Sequence, residues 1–307
     1  MLCDDESKES TNLLFAIPKK GRVYDECMAI LKAADVRFIR KQRLDIAYCT
    51  NMPITLVFLP QKDLVQFVGK GNVDVGIAGQ DMIAEGGLQD KVSEILALNF
   101  GKCRLQVQVP VNGSIKTNDD LAGKRIATSF PRIAEQFFDK IFKDSGKPNP
   151  EMQYISGSVE AACSLGLADA IVDLVDSGET MRASGLMAIS TIMETQMSFI
   201  CNSARQAMRP FDSPKRKLVD TLARRFSGTV TANKYVLVSY NIAKKDYPQA
   251  KWITPGKKEP TVTNLGENGT WIAVNAMVLK AEAVSVMDRL EQAGAEDILV
   301  FNIQNCR

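Results

Sequence analysis

The sequence predicts an α/β protein: two tandem lobes, followed by a smaller β-α-β-β-α-β domain. Three observations predict it. Short apolar runs alternate with helix-length segments through the first two-thirds of the chain, the rhythm of a parallel or mixed sheet covered by helices. The rhythm stops at Gly101 and then restarts, which separates two lobes and leaves a cleft between them for a small ligand. From about Thr229 onward the pattern changes to strands that dominate over helices.

In the first lobe, residues 13–17 form an apolar strand ending at Pro18-Lys19-Lys20-Gly21-Arg22. A helix follows to about Ala34, with Met28, Ile30 and Leu31 among its apolar residues. Residues 54–59 are a continuous buried-strand run closed by Pro60, and 63–70 read as a helix stopped by Gly71. Residues 73–77 are another buried strand, leading into Ala78-Gly79-Gln80-Asp81. In the second lobe, 104–111 and 126–128 are strands. Pro131 suits a first helical turn, and the helix runs to about Asp144, before the loop Ser145-Gly146-Lys147-Pro148-Asn149-Pro150. Residues 152–155 are a strand, and Ser158 is placed to cap a helix toward Leu165. In the tail, 229–240 are β-rich and 243–252 helical, with a turn at Thr254-Pro255-Gly256. Strands at 261–265 and 271–279 flank Gly266-Glu267-Asn268-Gly269. Residues 281–293 are helical, with Val284, Met287 and Leu290 on one face, and 298–303 are the last strand. That order is ferredoxin-like.

Composition narrows the function. A length of 307 residues allows two or three domains, and 45% hydrophobic with 24% charged residues is ordinary for a soluble globular protein. A net charge of +2 gives no reason to expect nucleic acid or an acidic membrane as partner. No apolar run reaches the roughly 18 residues of a membrane span, and residues 1–12 read as a polar tail without a signal-peptide core. The seven cysteines are odd in number and contain no C-x-x-C pair, so free thiols in a reducing, cytoplasmic setting are expected. Histidine is absent, which removes every Cys/His and Ser/His/Asp scheme. Chemistry is left to carboxylates, Lys and Arg charge, backbone dipoles or a bound metal–phosphate complex.

The most informative stretch is Ser156-Gly157-Ser158-Val159-Glu160, followed by Asp169 to Thr180. Ile171, Val172, Leu174 and Val175 form a buried strand interrupted by Asp173, a group costly to bury alone. Ser177, Gly178 and Thr180 then supply hydroxyls and backbone N–H groups in a tight turn suited to an anion. Carboxylates able to hold sugar hydroxyls just before an anion cradle fit a ribose 5-phosphate.

The motifs Lys19-Lys20-Gly21-Arg22, Gln42-Arg43-Leu44-Asp45, Asp74-Val75-Gly76-Ile77-Ala78-Gly79 and Gly157-Ser158-Val159-Glu160 occur in this order. Asp169 to Thr180 and Thr254-Pro255-Gly256 with Pro260-Thr261 complete the set. With them the chain resembles the ATP phosphoribosyltransferase family, in its long, fungal form, over residues 14–306. The resemblance implies two periplasmic-binding-protein-like lobes and a C-terminal ferredoxin-like regulatory domain. The implied boundaries are 1–104, 105–198, a return and linker at 199–227, and 228–307. It implies transfer of phosphoribosyl from phosphoribosyl pyrophosphate to N1 of ATP with Mg²⁺, feedback inhibition by histidine, and dimers assembling to hexamers.

Carried onto this chain, the resemblance places Ser177, Gly178, Glu179 and Thr180 at the 5-phosphate, with Asp169 and Asp173 at the ribose. It places Glu160 near the reacting sugar, and Arg22 with Lys19 at pyrophosphate or triphosphate. Arg43 and Asp74 are further substrate contacts, and Asn241, Thr261, Met277 and Asp297 mark the histidine site. No protein residue is expected to form a dedicated metal site. A solute-binding protein, a purine or pyrimidine phosphoribosyltransferase and an inactive regulatory paralogue are the competing readings.

Overall fold

The computed structural model describes residues 12–41, 44–204, 213–266 and 269–307. The tail at 1–11, Arg43 with Gln42, and Glu267-Asn268 lie outside the described residues. The chain divides into two compact units, Met1–Ala29 with Val36–Asp220, and Ile30–Asp35 with Thr221–Arg307.

The first unit carries two sheets. The lobe I sheet contains β1 (Leu13–Pro18), β2 (Ile46–Tyr48), β3 (Ile54–Leu59), β4 (Val75–Gly79), β5 (Val92–Ala97) and β11 (Met197–Asn202), in the order β2-β3-β1-β4-β11-β5. Its centre, β3-β1-β4, is parallel. Central parallel strands are covered on both faces, so they need continuous apolar runs. Leu13, Phe15 and Ile17 of β1 and Val75 and Ile77 of β4 are accordingly fully buried. Helices α1 (Tyr24–Ala33), α2 (Gln61–Gly69) and α3 (Gln80–Glu85) follow strands β1, β3 and β4.

The lobe II sheet contains β6 (Cys103–Pro110), β7 (Arg125–Thr128), β8 (Glu151–Tyr154), β9 (Ala170–Val175) and β10 (Leu186–Thr195), in the order β10-β6-β9-β7-β8. Helix α4 (Pro131–Phe142) buries Ile133, Ala134, Phe138 and Phe142 on one helical face. The short α5 (Glu179–Ala183) follows β9. The chain enters lobe II after β5 and returns between β10 and β11. The two crossings are paired: Leu98 N donates to Met197 O at 2.9 Å and Met197 N to Phe100 O at 3.0 Å. Gly101 permits this closeness, because its φ is +61° and a Cβ there would lie 2.9 Å from Met197 Cγ.

The second unit carries β12 (Tyr235–Ala243), α7 (Tyr247–Ile253), β13 (Thr261–Leu265), β14 (Trp271–Leu279), α8 (Ala283–Gln292) and β15 (Ala295–Asn302) after the long α6 (Pro214–Lys234). The sheet order β13-β14-β12-β15 with antiparallel neighbours is ferredoxin-like, as expected. One face is buried under α7 and α8 through Val236, Val238, Tyr240, Ile242, Ile272 and Val274. Among the described residues no helix of this unit covers the opposite face, which carries Leu237, Met277, Leu299 and Phe301, and Leu299 and Phe301 are half exposed.

Three local expectations are corrected. Residues 229–234 are helical, not extended: α6 continues to Lys234, since Leu222, Phe226, Thr229 and Ala232 fall on one buried helical face that outweighs the β-branched residues. After Ser158 there is only a 3₁₀ turn, Val159–Ala161; Ser158 has φ +52° and makes no capping hydrogen bond. The buried face of α8 is Ala283, Val286 and Leu290, while Val284 is 74% exposed. The 3₁₀ turn Lys280–Glu282 winds at three residues per turn and rotates the helix that follows it.

Candidate active site

In open α/β sheets, ligands bind beyond the C-terminal ends of the strands. At the end of β9 a cavity of about 260 Å³ is lined by Gln108, Glu160, Asp173, Asp176, the turn Ser177–Thr180 and Arg22. Seven of the residues singled out in the sequence therefore meet here: Arg22, Glu160, Asp173, Ser177, Gly178, Glu179 and Thr180. Gly178 has φ +78°, and a Cβ there would lie 2.9 Å from Arg182 Nη1, so the turn both requires and protects glycine. Arg182 donates to Ser177 O at 3.3 Å, and Glu179 N donates to Ser177 Oγ at 3.3 Å, which fixes the turn.

Asp173 is the electrostatic centre. Burial pushes its carboxyl up to about 6, opposed by the Leu174 N–H and reinforced by the neighbouring charge of Glu160. Its Oδ1 accepts from Leu174 N at 2.8 Å. The cavity thus holds desolvated negative charge facing a phosphate-sized turn, and positive charge arrives from lobe I. Arg22 crosses the cleft to Asp176, with Nη1 to Oδ2 at 3.2 Å, and also hydrogen-bonds Cys103. Both members of the pair are about half exposed, so the contact is weak enough for a phosphate to replace Asp176.

Other singled-out residues lie elsewhere. Lys19 pairs with Asp45 at 2.7 Å at the end of β1, outside the cavity lining. Asp169 is not brought to the cavity. It sits at the opposite, N-terminal end of β9, where Arg125 clamps it through N, Nε and Nη2 at 2.9, 3.3 and 3.1 Å. Those hydrogen bonds hold its carboxyl below the usual range. Asp74 likewise precedes β4 at the wrong end: it is buried, accepts from Leu14 N at 2.9 Å and pairs with Lys215 at 3.0 Å. Both are internal locks, because a carboxylate at the start of a strand faces away from the ligand edge. Arg43 lies outside the described residues. Asn241, Thr261, Met277 and Asp297 gather on or beside the uncovered face of the C-terminal sheet, where Asn241 Nδ2 donates to Asp297 Oδ2 at 2.9 Å.

Residues not singled out also contribute. Gln108, 2% exposed on β6, donates to Asp173 O at 3.3 Å and lines the cavity. Its signal was an amide at an inward position of an apolar strand, a placement that demands a partner. A second cavity of about 530 Å³ adjoins the first through Val175 and Asp176. Gln80, Lys102, Arg104, Glu194 and Gln196 line it beside the lobe crossings. Burial also raises the thiols Cys27 and Cys49 to about 12 and Cys163 to about 11, and the six described cysteines are free. No described helix is long and apolar enough to cross a membrane.

Comparison with known proteins shows the family. The family model for ATP phosphoribosyltransferase matches residues 60–228, and the model for the HisG C-terminal domain matches 232–305. The Schizosaccharomyces pombe ATP phosphoribosyltransferase is 48% identical over 307 residues, with 96% of each chain covered. The Saccharomyces cerevisiae ATP phosphoribosyltransferase is 44% identical over 296 residues, again with 96% of each covered. Among solved structures, an ATP phosphoribosyl transferase (HisG:HisZ) complex from Thermotoga maritima shares the fold, at TM-score 0.58 and 24% identity over 70% of this chain and 96% of that one. The chain belongs to the ATP phosphoribosyltransferase family, in its long form.

Proposed function

We propose that this chain joins C1 of phosphoribosyl pyrophosphate to N1 of ATP in the cleft between its lobes, releasing phosphoribosyl-ATP and pyrophosphate. The observation that carries this reading is the convergence of Glu160, Asp173, the Ser177–Thr180 turn and Arg22 on one cavity. The turn offers N–H and hydroxyl donors to the 5-phosphate, while Asp173 and Glu160 accept from the ribose hydroxyls. Their negative charge also opposes the positive character that develops at C1. ATP enters the adjoining cavity, where Lys102 and Arg104 face its phosphates.

Adenine N1 carries a free lone pair, so attack needs no general base, and a chain without histidine suffices. The barrier lies in the leaving group. Arg22 exchanges its exposed contact with Asp176 for pyrophosphate oxygens, which suit a guanidinium in bidentate fashion.

Among the described residues no cluster of three metal-ligating side chains is found. Mg²⁺ is commonly held by one or two carboxylates together with substrate phosphates, and the cavity offers such a carboxylate pair. Asp173 and Glu160 would provide the hard oxygen donors. When bound, Mg²⁺ would neutralise charge on the departing pyrophosphate.

The C-terminal domain is read as the histidine sensor and the assembly surface. Asp297 supplies a carboxylate for an amino group, at a left-handed backbone position (φ +51°) that aspartate tolerates better than most residues. Asn241 and Thr261 add polar contacts, and Met277 an apolar one. The apolar strip Leu237, Leu299 and Phe301 on the same face fits a second copy of the chain, in dimers that build to hexamers.

The test is to mix the protein with ATP, phosphoribosyl pyrophosphate and Mg²⁺ and follow the adduct by mass and the release of pyrophosphate. Adduct with ATP and none with free purine or pyrimidine bases is expected. Binding without pyrophosphate release would instead make the chain a receptor.

A further inference from the structure

Helix α4 starts without a side-chain cap of its own. Its N-cap residue is Phe130, which has no side-chain acceptor, and Pro131 at the first position has no N–H. Ala134 N already donates to Phe130 O at 3.1 Å, and Phe130 N donates to Thr128 Oγ1 at 2.9 Å. Two donors remain, and one carboxylate from the other lobe takes both. Arg132 N donates to Glu85 Oε1 at 3.2 Å, and Ile133 N donates to Glu85 Oε2 at 3.1 Å. Glu85 is the last residue of α3, in lobe I.

The surroundings reinforce this bridge. Met82 and Ala84 of α3 pack on the lobe II core. The Arg132 guanidinium lies against Gly87, where a Cβ would collide with it. Lys62 of α2 places its Nζ 4.9 Å from the ring centre of Tyr154, a second contact across the lobes. Lys62 and Arg132 are the cations that face Glu85. The capped end is also tied to the reaction cavity: Thr128 Oγ1 donates to Val172 O at 2.7 Å, one residue before Asp173.

We propose that Glu85 is a positioning residue, a cap supplied by lobe I to α4 of lobe II, which sets the angle between the lobes and hence the placement of Arg22 relative to Asp173. The proposal rests on the cleft being the site of phosphoribosyl transfer. Both carboxylate oxygens are in use, so a shorter or neutral side chain cannot replace Glu85 fully. Parting the lobes would hand two helix-start donors to water and withdraw a carboxylate from the positive end of α4, so the bridge favours the closed arrangement.

The test compares the full-length protein with Glu85→Ala and Glu85→Gln, after circular dichroism has confirmed folding. Amide hydrogen exchange is read at Arg132 and Ile133, and kcat/KM is measured for both substrates per folded molecule. In Glu85→Ala, exchange at these two amides should accelerate while the rest of α4 stays protected. Its kcat/KM should fall about five- to tenfold, the range produced by losing a helix cap. Glu85→Gln keeps one acceptor oxygen and should fall between the two. If the alanine variant does not fold, glutamine against wild type makes the same comparison at smaller amplitude. Unchanged exchange overturns the cap. Faster exchange with wild-type kcat/KM overturns the positioning role, as does a glutamine variant no better than alanine. The exchange measurement needs no substrate, so it stands apart from any failure of the proposed reaction.

Discussion

Replacing Asp173 by Asn should stabilise the fold at neutral pH and weaken the reaction, and the pH dependence of the first effect can be worked out in advance. Asp173 ionises near 3.8 when unfolded and at about 6 when folded, chiefly because it is buried. Below pH 3.8 both states are protonated and the site contributes no difference. Between 3.8 and about 6 the folded state binds the extra proton, so stability falls as pH rises; above about 6 the loss is complete. The gap corresponds to about 3 kcal/mol, and partial solvent access reduces it to roughly 1–3 kcal/mol. Asn keeps an oxygen for the Leu174 N–H but carries no charge. The variant should therefore match wild type near pH 4 and exceed it by roughly 1–3 kcal/mol at pH 7.5, a rise of several degrees in Tm at about 2–4 °C per kcal/mol. Calorimetry is the suitable assay, since both tryptophans, Trp252 and Trp271, belong to the C-terminal unit and do not watch this site. Adduct formation should drop about 10²–10³-fold, the usual result of removing one preorganised electrostatic partner. A stability difference that persists at pH 4, or a variant less stable than wild type at pH 7.5, would refute the assignment of buried, unfavourable charge to Asp173.

Further outcomes follow from the same structure. Arg22→Ala should lower turnover about 10²–10³-fold while changing stability by less than about 1 kcal/mol, since its ion pair is exposed; turnover that survives the change removes Arg22 from the reaction. Asp169→Asn should show the reverse, a measurable loss of stability with kcat unchanged, because it weakens the clamp on Arg125 rather than the cavity. The stability that Asp169 confers should be present at neutral pH and fade as the medium is acidified through its depressed folded-state pKa, as acid titration of unfolding will show. On the proposed reading of the C-terminal domain as sensor and assembly surface, Asp297→Ala should raise the histidine concentration needed for inhibition at least tenfold with uninhibited turnover intact, and Phe301→Asp should shift the sedimentation profile to smaller species.

Much of the fold could be read in the sequence where burial and local preference agree. Strands β1, β3 and β4 are apolar on both faces and stand between clear turn residues. Helix α4 shows its start in Pro131 and its buried side in Ile133, Phe138 and Phe142. The strand pair β10 and β11 was not legible. Residues 186–202 lack clean alternation because the pairing of β10 with β6 slips between Ala188 and Ser190 and again between Thr191 and Met193. Helix α6 is not legible as a helix: residues up to 227 read as a return and linker, and Thr229, Val230 and Thr231 favour strands locally, whereas burial of Phe226, Thr229 and Ala232 makes Pro214–Lys234 one helix. Ser158 looked like a helix cap by type, yet its left-handed backbone serves a turn.

The carboxylates show why motif reading separates site from scaffold only in part. Asp74, Asp169 and Asp173 all flank or interrupt apolar strands, and the sequence presents the three alike. Strand direction sorts them. Asp74 and Asp169 precede their strands, where each meets a cation of the fold itself, Lys215 or Arg125. Asp173 lies in the C-terminal half of β9, pairs with no cation among the described residues, and is left with Glu160 beside it in a cavity. A carboxylate already matched by a protein cation has little left to offer a substrate; one held against like charge gains most when a cation or an electron-poor carbon arrives. By that criterion Glu160 shares the site with Asp173. In the proposed reaction Asp176, half committed to Arg22 across the cleft, would be the residue that gives way to pyrophosphate.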